Sequence, residues 1–106
     1  MSKLPEQYRS IKKRFKKYFT AVDNLGKAAK AAGPLNAKTA HLIQLAAAAA
    51  VKSEGAVHSH TRRALEAGAK AEEIQHALIL LTSTIGFPNV SAALSWTEDI
   101  IQEKKK

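Results

Sequence analysis

The sequence predicts an all-α protein, a bundle of five to six helices. Apolar residues recur at three- and four-residue spacing along the chain, and no stretch alternates polar and apolar residues as a half-buried strand would. The five glycines and three prolines are few, and several of them fall between the periodic segments rather than inside them. A chain of 106 residues is too short for two independent cores, so the expectation is a single domain over 1–106. Within it, a basic helical segment over 4–32 precedes a helical core over 35–102.

The first helix is expected from about Pro5, a good first-turn residue, to about Ala32, with a break near Tyr18 or Gly26. Leu4, Tyr8, Ile11, Phe15, Phe19 and Val22 form its apolar stripe. Gly33-Pro34 stops it, and Asn36 can cap a second helix from Ala37 to about Lys52. The stretch from Leu45 to Val51 is apolar all round, and its consecutive alanines let a neighbouring backbone approach closely. Ser53 can cap a third helix that carries Glu54 in its first turn, where the helix dipole favours a carboxylate. Gly68 suits the left-handed position that ends it. A fourth helix begins near Ala71 and runs through Ile74, Ala77, Leu78, Leu81 and Ile85. Gly86-Phe87-Pro88 stops that helix and restarts a fifth, with Val90, Ala93, Leu94, Ile100 and Ile101 on one side.

Composition removes several function classes. With no cysteine there are no disulfides, zinc-thiolate sites, iron–sulfur ligands or thiol redox chemistry. The opening Met-Ser-Lys-Leu-Pro-Glu has no apolar secretion core, and no segment reaches the ~20 apolar residues that span a bilayer, so a cytoplasmic protein without a membrane partner is expected. The net charge of +8 is unevenly spread. Residues 1–30 hold nine basic and two acidic side chains, residues 31–103 hold five and seven, and the tail is Lys104-Lys105-Lys106. Arg9, Lys12, Lys13, Arg14, Lys16 and Lys17 could follow a phosphate backbone, but no nucleic-acid motif accompanies them. The amphipathic spacing favours a solvated lysine face, so a nucleic-acid partner is not expected. An alanine-rich chain this short buries little by itself. The all-round apolar second helix, Phe15, Phe19 and Trp96 therefore point to a homo-oligomer.

A succession of pieces carries a resemblance. Lys38-Thr39-Ala40-His41-Leu42-Ile43-Gln44-Leu45-Ala46 leads to Ser53-Glu54-Gly55-Ala56-Val57-His58-Ser59-His60. Thr61-Arg62-Arg63-Ala64-Leu65-Glu66-Ala67-Gly68-Ala69, Glu72-Glu73-Ile74 and Gly86-Phe87-Pro88 follow. Over roughly residues 35–102 this resembles the carboxymuconolactone decarboxylase family, which shares its fold with alkyl hydroperoxidase D. The resemblance implies a helical bundle of that type assembled as a trimer or hexamer. In the family's redox branch a Cys-x-x-Cys pair stands seven and four residues before a histidine; those positions are Ser53 and Ala56 here. Thiol peroxidase and disulfide reductase activity are thereby excluded. That branch also has a glutamate nineteen residues before the histidine, where this chain has His41. The histidine itself matches His60. Decarboxylase members resemble this chain in having a glutamate six residues before it, matched by Glu54.

The turn near Lys52–Glu54 should fold the second helix back on the third, with Glu54 on the same side as His60 and His58 facing elsewhere. The helix packing that the resemblance implies then brings His41 and Glu54 to a groove beside His60. Losing CO₂ from a carbon next to a carbonyl requires a held carboxylate and a proton donor for the resulting enolate. Histidine suits the proton transfer. On this reading His60 is the acid/base, His41 its partner and Glu54 an orienting or relay carboxylate. Arg62, Arg63 and the helix start at Ser53 would hold a substrate carboxylate. The implied function is cofactor-independent decarboxylation, or related acid/base chemistry, on a small carboxylated lactone or β-keto acid. The rival is a non-catalytic oligomeric binding protein on the same scaffold. Metal ligation by His41, His60 and Glu54, or by histidines from several subunits around an axis, is a further alternative, although His58 and His60 themselves sit on opposite helix faces. No metal or cofactor is called for by the leading reading.

Overall fold

The computed structural model describes residues 6–105. It contains seven helices among the described residues: α1 (Glu6–Arg14), α2 (Lys16–Ala31), α3 (Ala37–Ala50), α4 (Glu54–Glu66), α5 (Ala71–Ile79), α6 (Thr82–Ile85) and α7 (Phe87–Lys105). None of the described helices is long and apolar enough to cross a membrane. The chain divides into two compact units, with the boundary between Leu35 and Asn36.

The first unit holds α1 and α2, and neither contains a buried residue. One continuous helix was expected here, with a break further along. Instead the chain leaves helical geometry at Phe15, with φ −130° and ψ 62°. Tyr8 and Phe19 then meet edge to face, 4.9 Å between ring centroids. Eleven residues of straight helix would hold these rings about 16 Å apart along the axis. The contact therefore depends on the turn at Phe15, which no Gly or Pro announces. Arg9, Lys12, Lys13 and Lys16 line a shallow groove beside Phe19.

The second unit carries the buried core. Leu45, Ala48 and Ala49 of α3 pack with Val57 and Ala64 of α4, Ile74 and Leu78 of α5, and Ala93 of α7. Trp96 packs against this cluster as a partly buried anchor. Two of its helices, α3 and α4, start where a side chain supplies an acceptor for an orphaned N–H. The Asn36 Oδ1 accepts from the Thr39 N–H at 2.8 Å, and the Ser53 Oγ from the Ala56 N–H at 3.3 Å.

Two helix ends use the same motif. At the end of α3 the Lys52 N–H reaches the Ala49 carbonyl and the Ser53 N–H reaches the Ala48 carbonyl, with Lys52 at φ 59°. At the end of α4 the Gly68 and Ala69 N–H groups reach the Leu65 and Ala64 carbonyls, with Gly68 at φ 99°. Both are Schellman ends, and the first of them turns α3 into α4 within three residues.

The fourth expected helix ends earlier than its apolar pattern does. α5 stops at Ile79, and Thr82–Ile85 forms a separate turn of helix. The Thr82 hydroxyl donates to the Ile79 carbonyl at 2.7 Å, taking an acceptor that the helical ladder would otherwise use. Gly86, at φ 88°, then turns the chain into α7 as its position predicts.

Candidate functional site

The α3–α4 hairpin places the two histidines. His41 lies eleven residues before Lys52 and His60 eight residues after it, about 16 and 12 Å of helix from the turn. Folding back at Lys52 brings them nearly level. Their ring centroids are 5.7 Å apart with the planes inclined at 36°. His41 is 5% exposed, and His60 is partly buried. The Nδ1 atoms of both are shut off from solvent. Two adjacent imidazoles at one level of a hairpin can pass a proton between them and a bound molecule.

Gln44 sits one turn beyond His41 on α3, a position that sequence reasoning did not single out. Its Oε1 is buried without a hydrogen-bond partner among the described residues. A buried carbonyl oxygen in that state costs about 1–3 kcal/mol, which a donor from a ligand or a neighbouring chain would recover. No local pattern distinguishes this glutamine, because its burial depends on what packs over α3.

The other expected site residues are placed differently. Ser53 is committed to capping α4 through its Oγ. Arg62 and Arg63 are half-buried on α4, and neither forms an ion pair among the described residues. Glu54 is exposed, and its carboxylate groups with His58 and Asp99. The helical repeat explains this: four residues bring Glu54 to within about 40° of His58, whereas six leave it about 120° from His60. The His58 Nε2 lies 3.0 Å from Asp99 Oδ2 on α7 and 4.0 Å from Glu54 Oε2.

Elsewhere, Glu73 of α5 accepts from the Lys70 N–H at 2.9 Å and from the Lys38 Nζ at 3.1 Å. The backbone hydrogen bond first, then the lysine, holds its carboxyl below the usual value of 4.5. This pair ties α5 to the start of α3, within the helix that carries His41.

A family model described as the carboxymuconolactone decarboxylase family matches residues 16–99, so it takes in α2 as well as the second unit as far as Asp99. The uncharacterized protein MJ1511 of Methanocaldococcus jannaschii is 32% identical over 84 residues, covering 79% of this chain and 78% of that protein. No solved structure gave a significant match.

Proposed function

Because this chain belongs to the carboxymuconolactone decarboxylase family, we propose that it performs cofactor-independent decarboxylation, or related acid/base chemistry, on a small carboxylated lactone or β-keto acid. The observation that carries the reading is the His41–His60 pair, 5.7 Å between centroids on one hairpin. The substrate's C–CO₂⁻ bond breaks, its electron pair enters the neighbouring carbonyl π-system, and CO₂ leaves. The protonated His60 then gives its proton to the carbon of the enolate, and His41 helps to restore the proton from solvent. Arg62 and Arg63 supply cationic groups for the substrate carboxylate, and Gln44 offers a buried acceptor beside the pair. In this reading the proton transfer rests on the two histidines, while Glu54 serves the first turn of α4 and His58.

The working form is proposed to be a cytoplasmic homo-oligomer, a trimer or hexamer. Large apolar side chains stand uncovered on the second unit, with Ile43 52%, Val51 74%, Leu80 65% and Phe87 66% exposed. Phe15, Tyr18, Val22 and Leu25 are similarly uncovered on the first. Sedimentation should give several chains per particle, and a monomer at micromolar concentration would reject the assembly.

The second reading, ligand binding without turnover, is favoured by the histidine at position 41, where the resemblance has a glutamate. Incubation with 4-carboxymuconolactone separates the two. Release of one CO₂ per lactone consumed supports the decarboxylase. Saturable binding without CO₂ release supports the binding protein.

A further inference from the structure

The geometry points to a divalent transition-metal site formed by Glu54, His58 and Asp99, separate from the His41–His60 pair. Glu54 and His58 are an i,i+4 pair on α4, and Asp99 comes across from α7. One donor atom from each lies within 4.8 Å of the others. A nitrogen and two carboxylate oxygens make a mixed donor set that suits zinc, cobalt or manganese better than magnesium or calcium. Metal–ligand bonds of about 2.1 Å put neighbouring donors roughly 3.0–3.5 Å apart. The His58–Asp99 separation of 3.0 Å already fits. The His58–Glu54 separation of 4.0 Å closes by a small movement of a glutamate side chain that is 58% exposed.

Charge supplies a second, independent argument. The chain has 17 Lys and Arg, yet among the described residues none of them pairs with Glu54 or Asp99. Two carboxylates are thus drawn together with only one imidazole between them. A divalent cation cancels both charges and takes the imidazole as its nitrogen ligand. Three protein ligands leave the ion's remaining positions open to water or to an anionic ligand. His58 and His60 lie on opposite faces of α4, so this ion would not sit between the two proposed catalytic histidines. Its main consequence is a clamp between α4 and α7.

The test uses the untagged full chain, freed of metal by chelator and titrated with Zn²⁺ by calorimetry and with Co²⁺ by visible absorption. One ion per chain is expected, with excess Mg²⁺ failing to compete. Glu54→Gln, His58→Gln and Asp99→Asn should each weaken binding by about tenfold or more, since even outer-shell changes cost that much. His76→Gln, which removes an exposed histidine elsewhere, should leave binding unchanged. Glu54 and Asp99 are exposed, so their amide variants should keep the helical circular dichroism of the parent. No binding by the parent chain overturns the proposal and leaves His58 as a hydrogen-bond partner of Asp99. Binding that survives the three substitutions, or disappears in His76→Gln, overturns it as well.

Discussion

The paired Schellman ends of α3 and α4 make opposite predictions for glycine, and both can be worked from the backbone. Lys52 holds φ 59° with a side chain, whereas Gly68 holds φ 99° without one. A Cβ in left-handed geometry costs about 1–2 kcal/mol. Glycine has its own cost of roughly 0.5–1 kcal/mol, because its unfolded chain is freer. Lys52→Gly should therefore stabilise the fold by about 0.5 kcal/mol. Gly68→Ala should destabilise it by about 1 kcal/mol. No heavy atom lies within 4 Å of a Cβ built at Gly68, so nothing beyond the backbone adds to that figure. Urea unfolding followed by far-ultraviolet circular dichroism, at one fixed protomer concentration, reads both differences. The reasoning fails if the two substitutions shift stability in the same direction, or if Gly68→Ala costs more than about 3 kcal/mol, which the backbone cannot supply.

Further outcomes follow from the same structure. Leu45 is fully buried at the centre of the second unit, so Leu45→Ala should cost about 2–5 kcal/mol by the same unfolding measurement. Asn36→Ala removes the side-chain acceptor of the Thr39 N–H, and should cost about 1 kcal/mol. The folded-state pKa of Glu73 is depressed, so its contribution is present above 4.5 and is lost as pH falls through the lower folded value. A Glu73→Gln variant should accordingly show a smaller loss of stability on acidification than the parent, and an equal loss would contradict the assignment.

Much of the second unit was legible from its punctuation. Asn36, Ser53, Gly68 and Gly86 mark helix ends by local chemistry, and each acts in the structure at the place its residue type suggests. The turn at Phe15 was not legible, because it is accompanied by an aromatic contact eleven residues long rather than by a breaker residue. The end of α5 was hidden for a similar reason: a threonine hydroxyl interrupts a pattern that remains apolar and periodic through Ile85. At the candidate site, counting residues from the turn puts His41 and His60 at one level of the hairpin, but that they face each other came from the packing the family resemblance implies. The placement of Glu54 beside His58 follows from helical repeat alone, but Asp99 joins them across 41 residues of sequence. Only the packing of α4 on α7 reveals that contact.

His60 is proposed to carry the chemistry on a family fold. Its most direct test is steady-state decarboxylation of 4-carboxymuconolactone by the parent chain and by His60→Ala, with both shown to be folded and equally assembled. Turnover is expected in the parent and should collapse in the variant. Turnover that survives the loss of His60 would contradict that role.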